Sequence, residues 1–385
     1  GEWEQEESTR LQTGSEASYN IVNMYVGVGL WSLPYSLVVG GWEALLVLLV
    51  LLVLCYMSAE NLVRLYDQSK TMERSEVGSY LQISREAFGS FGTFASGGFL
   101  IGEFLGTAMV LVLTTWDVLS KIGLPYGVGA ALSTCLLLPF VWKDEWSNMA
   151  YINAFALAST VVVIFGCYFI LLGGVPENTI SANEVTIKGF ARAVGLQMVA
   201  LGSGTPAVPS IYQQIQSRSE FPLVMVISFV VIAVFCFAMT VGGFFTYGQK
   251  SEILIIDNLM QNDAWGSLIS LMVAAASFAT TPPFIAMTTE IPLAALNLQV
   301  GRAGRRAMRY LVYFITIAGC VLLMESLDLI LELTGLLCMS MTAIVLPIAM
   351  SLKVFRSETT WLSLISGIAA ITVSLLTTAI YMILL

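Results

Sequence analysis

Apolar stretches of roughly 20 residues, the length at which a helix crosses the hydrocarbon layer of a bilayer, dominate the chain. They fall at 17–39, 42–65, 96–120, 124–142, 149–173, 190–213, 222–247, 265–296, 309–325, 328–353 and 361–385. Inside lipid every backbone N–H and C=O must find its partner within the protein, and long runs without strand-type alternation manage this only as helices. The predicted fold class is therefore an all-α polytopic membrane protein with about 11 transmembrane helices. Charge agrees, because Asp, Glu, Lys and Arg make up 11% of the 385 residues against about a quarter in soluble domains.

The loops orient the chain. With a cytoplasmic N-terminus, 13 of the 17 basic residues lie on that side, whereas the other side keeps Lys121, Lys188, Arg192 and Lys250. This asymmetry supports both the orientation and the count, since removing one span would scramble it. A net charge of −9 leaves no basic surface for nucleic acid. Residues 1–16, with four glutamates in the first seven positions, read as a disordered cytoplasmic stub. The amphipathic stretch Tyr80–Phe88 is expected on the membrane surface or as a gate element. The chain has no histidine, so proton chemistry falls to carboxylates, and the six cysteines lack metal-ligand spacing. No resident cofactor or metal is expected.

Two spans are interrupted by glycine and proline. Gly27, Gly29 and Pro34 recur as Gly202, Gly204 and Pro209, each at an offset of 175 residues. Five spans separate the copies, and an odd number of crossings inverts the second relative to the first. The expected organisation is a five-plus-five inverted repeat over 17–353, with repeat one at 17–173, repeat two at 190–353, broken helices 1 and 6, and an added helix at 361–385.

An unwound stretch in mid-membrane exposes backbone groups. The N-terminal end of a half-helix offers donors and partial positive charge to a carboxylate, and freed carbonyls suit an ammonium or a cation. The candidate binding residues are Asn23, Gly27, Val28 and Gly29 in the first break and Gly202, Ser203, Gly204 and Thr205 in the second. Close helix packing is the plainer use of such glycines. Intramembrane acids are costly and are kept for a reason. Glu103 in the third span and Glu290 in the eighth, after a break expected at Thr280-Thr281-Pro282-Pro283, are the candidates for ion coupling, with Glu332 a weaker third.

These residues resemble the amino acid/auxin permease family, especially its vacuolar amino acid transporters and vesicular inhibitory amino acid transporters. The resemblance rests on Asn23 through Pro34 with Gly40-Gly41-Trp42, on Ala87-Phe88-Gly89, on Val208 through Tyr212 with Ser219 through Pro222, and on Glu332 through Gly335 with Leu346-Pro347. It implies a sodium-symporter-like transporter fold and alternating-access transport of amino acids. It also implies that Asn23 and Gly27 fall on the first-helix binding segment, Gly202 to Thr205 on the broken sixth helix, and Glu103 and Glu290 on acids of the vesicular branch. Sodium-coupled relatives carry hydroxyls in the first break where this chain has Val28 and Gly29, so a transported proton is expected over sodium, for which Thr288 and Thr289 remain available.

The expected function is secondary active transport of an amino acid, in a vacuolar, lysosomal or vesicular membrane before the cell surface. The partners are the small-molecule substrate and the lipid bilayer. The alternatives are sodium coupling and a non-transporting amino acid sensor of the same fold. An enzyme is not expected, since the membrane acids lack a catalytic companion.

Overall fold

The structure, a computed structural model, describes residues 11–68, 76–142, 149–172, 186–260, 263–355 and 361–384. In chain order the helices are α1 (Gly14–Tyr25), α2 (Leu33–Gly40), α3 (Glu43–Gln68), α4 (Glu76–Lys121), α5 (Tyr126–Val141), α6 (Met149–Leu172), α7 (Ile187–Leu201) and α8 (Val208–Gln214). They continue with α9 (Phe221–Tyr247), α10 (Ile255–Met260), α11 (Asp263–Ala295), α12 (Arg302–Leu322), α13 (Leu327–Leu333), α14 (Leu346–Val354) and α15 (Trp361–Leu384). Two wide π-helical turns, Thr334–Met339 and Met341–Val345, join α13 to α14.

Among the described residues, seven helical spans are long and apolar enough to cross a membrane, and the pair α1 and α2, bent by 50°, adds an eighth. The other three predicted stretches hold α5, which is 16 residues long, the interrupted pair α7 and α8, and α12, whose first turns carry four arginines. The centre is packed from both halves of the chain. α4 lies along α11, α2 against α7 and α9, and α7 against the first π-helical turn. Helices at the periphery turn Phe165, Phe169, Leu223, Leu268 and Leu376 outward, as lipid-facing surfaces require.

Three expectations change. The stub predicted over 1–16 ends early: Thr13 caps α1 in a capping box with Glu16, and Gln12 pairs with the chain after α8. Gln12 N donates to the Gln214 carbonyl at 2.7 Å and Gln216 N to the Gln12 carbonyl at 2.9 Å; residues 1–10 lie outside the described residues. The Thr280–Pro283 run does not break α11, which continues through Pro282, Pro283 and Pro292. The hydroxyls of Thr280 and Thr281 donate back to the Ala276 and Ser277 carbonyls, one of the ways in which membrane helices accommodate proline.

The third change concerns Tyr80–Phe88. Gly89 takes φ 68°, a left-handed conformation that only glycine adopts without cost, and the chain reverses there. In a straight helix Ser84 and Ser96 would stand about 18 Å apart; their hydroxyls are 2.7 Å apart. The stretch is therefore packed back onto the protein, with Tyr80, Leu81 and Ile83 buried, instead of lying free on a bilayer surface.

Candidate functional site

The two interruptions face each other. In the first, Val26 (φ −86°, ψ 84°) and Gly27 (φ −127°, ψ −158°) leave the helix, and a short 3-10 turn, Val28–Ser32, leads into α2. That turn begins with the bond from Leu30 N to the Gly27 carbonyl, 3.0 Å, which leaves the N–H groups of Val28 and Gly29 ahead of it without an intrahelical partner. In the second, Gly202 and Gly204 keep right-handed backbone and a 3-10 turn, Thr205–Ala207, links α7 to α8. Two hydrogen bonds join the breaks: Ser203 Oγ donates to the Met24 carbonyl at 2.9 Å, and the Tyr25 and Thr205 hydroxyls meet at 2.9 Å.

Between the breaks, α4 and α11 lies a cavity of about 90 Å³, several times the roughly 10–15 Å³ that one water needs. A smaller lobe behind Phe104 and Pro206 shares Met24, Ser203, Phe284 and Met287 with it. Of the predicted binding residues, Asn23, Gly27, Gly29 and Ser203 line the cavity. Gly27 is the one whose missing side chain leaves open space, with nothing within 4 Å of where a Cβ would stand. The other three glycines serve close approach. A Cβ on Gly29 would lie 2.4 Å from the Val199 backbone, on Gly202 2.5 Å from Met339 Cβ, and on Gly204 2.2 Å from the Tyr25 ring. Thr205 is fully buried and turned to Tyr25, and Val28 contributes its backbone at the start of the 3-10 turn.

Among the described residues, no side chain in the cavity lining is charged. Polarity comes from Asn23, the hydroxyls of Thr107, Ser203, Ser277 and Thr280, the Trp31 indole and the broken backbone. Ser277 Oγ and Trp31 Nε1 are buried and have no hydrogen-bond partner among the described residues. The α11 residues were not anticipated from the sequence. Their signal is helical spacing: Ser277, Thr280, Phe284 and Met287 recur every three or four residues and share one face.

The acids separate. Glu103 is fully buried on α4; Oε2 accepts from Thr342 Oγ1 at 2.6 Å, and Oε1 has no partner among the described residues. Its carbonyl accepts from Thr107 Oγ1, a cavity-lining hydroxyl, at 2.9 Å. Glu290 stands elsewhere, 3.9 Å from Arg305 and 4.0 Å from Arg309 on α12. Glu332 lies in a third place: Arg192 on α7 meets Oε1 at 2.5 Å, and the Tyr381 hydroxyl donates to Oε2. Thr288 and Thr289 spend their hydroxyl protons on the Phe284 and Ile285 carbonyls of their own helix.

Proteins similar to this chain in fold or in sequence include several transporters. Despite 12% identity, the manganese transporter of Eremococcus coleocola matches with a TM-score of 0.64 over 98% of this chain and 88% of its own. MhsT in complex with L-phenylalanine, 14% identical, matches with a TM-score of 0.59 over 97% and 99%. The fold is thus that of sodium-symporter-like transporters with two broken helices. Amino acid transporter AVT1B of Arabidopsis thaliana is 26% identical over 90% of this chain and 65% of its own length. The vesicular GABA transporter of Caenorhabditis elegans is 22% identical over 74% and 58%. The chain thus spans just under two thirds of AVT1B. The family profile described as "Transmembrane amino acid transporter protein" matches residues 12–385, and the chain belongs to that transmembrane amino acid transporter family.

Proposed function

We propose that this chain is the membrane core of a secondary active transporter that carries an amino acid by alternating access, coupled to protons through Glu103. The observation that carries the reading is an uncharged cavity at two helix breaks. A zwitterion placed there has to be met by backbone dipoles. The start of the 3-10 turn at Val28 and Gly29 supplies donors for its carboxylate, and the end of α1 supplies carbonyls for its ammonium. Asn23 and Ser203 line the same cavity. Family membership and fold support amino acid transport, with eleven crossings and two inverted five-helix repeats as the framework.

Proton coupling rests on Glu103, buried one turn from the cavity residue Thr107 with a free carboxyl oxygen able to take a proton. Glu290 is held between two arginines, which makes it the weaker carrier. The vesicular relative supports an intracellular membrane, and the excess of basic residues in the loops on one side supports a cytoplasmic N-terminus.

The test is uptake of a labelled amino-acid panel into proteoliposomes under an imposed pH gradient or an imposed sodium gradient, for wild type, Glu103→Gln and Glu290→Gln. The pH gradient should drive uptake. Glu103→Gln should lose that dependence while retaining exchange, and Glu290→Gln should keep it. Uptake driven by sodium alone would reject proton coupling, and binding without flux or exchange would make the protein a sensor.

A further inference from the structure

Thr342 sits where three parts of the protein meet. Its hydroxyl donates to Glu103 Oε2 at 2.6 Å, and the carbonyls of Cys338 and Met339 are also within reach, at 3.2 and 3.3 Å. A hydroxyl has one proton, so these three acceptors compete for it. The Thr342 carbonyl in turn accepts from the Tyr80 hydroxyl at 2.8 Å, on the stretch that folds back at Gly89. Met339 lines the cavity and packs against Gly202 in the second break. The junction lies within two successive π-helical turns, a geometry found most often at functional positions.

We infer that Thr342 is a positioning residue that passes the protonation state of Glu103 to the cavity wall and to the folded-back helix. The inference rests on the reading of Glu103 as proton carrier. With the carboxyl charged, the Thr342 proton points to Oε2. When Glu103 takes up a proton on the free Oε1 and its carboxyl group turns over by half a revolution, that O–H becomes the donor to Thr342 Oγ1, and the Thr342 proton turns to the Met339 or Cys338 carbonyl. No other bond is made or broken. The exchange changes the hydrogen bonding of the turn that carries Met339, and through the Thr342 backbone it changes the seat of Tyr80. Among the described residues, the titratable groups that feel the charge on Glu103 are the Tyr25 and Tyr80 hydroxyls and the Cys338 thiol, and none of these is a cation that would compete with Thr342 for the carboxylate.

The test compares wild type, Glu103→Gln, Thr342→Val, which keeps the volume without the donor, and Thr342→Ser, which restores it. In full-length protein reconstituted in liposomes, counterflow at equal pH reports folded carriers, and uptake under a pH gradient reports coupling. Thr342→Val should keep counterflow and lose about tenfold in pH-driven uptake, the scale of a lost hydrogen bond to a charged group. Thr342→Ser should recover it. If Thr342→Val gives no counterflow, Thr342→Ala is read in its place. Wild-type pH-driven uptake in the variant without the hydroxyl, or no recovery in Thr342→Ser, overturns the role of Thr342 while leaving Glu103 as carrier. Full pH-driven uptake in Glu103→Gln removes the carrier and the inference with it.

Discussion

Gly27 and Gly204 stand one at each break and do opposite things. Gly204 is pressed against the Tyr25 ring, which cannot retreat because its hydroxyl meets Thr205 and its edge packs on Phe229 at 5.0 Å between centroids. Gly204→Ala should therefore lower stability by about 1–3 kcal/mol, the usual range for overpacking. Gly27 has room for a methyl group, and its φ of −127° suits any residue. Gly27→Ala should fold with stability within about 0.5 kcal/mol of wild type, while the methyl group narrows the cavity and raises KM. Thermal unfolding in detergent and the KM for uptake check the pair. Equal destabilisation by both changes, or an unchanged KM for Gly27→Ala, would show that the two glycines do the same work. Sequence spacing marked both as binding residues, because an offset of 175 records where glycine recurs and is silent about what each one faces.

At the level of elements, one ion pair pins the first half of a broken helix. Arg192 on α7 meets Glu332 and, at 3.5 Å, Asp328 on α13, and Tyr381 on α15 completes the set. Glu332 is 2% exposed. Breaking such a pair from one side strands a buried charge, which costs about 3–5 kcal/mol, whereas replacing both partners by apolar groups is often near neutral. Arg192→Met should accordingly destabilise the protein strongly, and Arg192→Met with Glu332→Leu should recover most of the loss in thermal unfolding. A double variant as weak as the single one would argue against the pair. The helices themselves were largely legible, since hydropathy is local and the stretches predicted at 42–65 and 222–247 differ from α3 and α9 by three residues or fewer at either end. Two features were not. The reversal at Gly89 depends on where Ser84 can find Ser96, and the continuity of α11 through Pro282 and Pro283 depends on the helices around it.

Across the whole molecule, the face opposite the Arg302–Arg309 cluster carries a charge cluster with a pH dependence of its own. Lys121 bridges Asp117 at 2.6 Å and Asp257 at 2.7 Å, tying the end of α4 to α10. Burial, then the neighbouring Asp117 carboxylate, push Asp257 up to about 7, with Lys121 pulling the other way, against about 3.9 in an exposed chain. The folded arrangement thus binds the proton more tightly than the unfolded one. Its contribution to stability is fully present below about pH 4 and is lost as pH rises through about 7. Acidification from about pH 7.5 to 5 should therefore raise the melting temperature of wild type relative to Asp257→Asn. Identical pH profiles for the two proteins would remove Asp257 as the cause.

The pairing of Gln12 with the chain after α8 has a mechanical meaning. At one end the bridge holds the start of α1 to the finish of α8. In the middle, Ser203 and Thr205 hold the breaks together. About one turn beyond, Gln197 of α7 reaches Ser36 of α2 and the Ala44 carbonyl of α3. Two interrupted helices fastened at one end and around the waist resist sliding past one another and behave as one part. In the proposed transport cycle, the donors and carbonyls offered to the two ends of the amino acid would therefore move together.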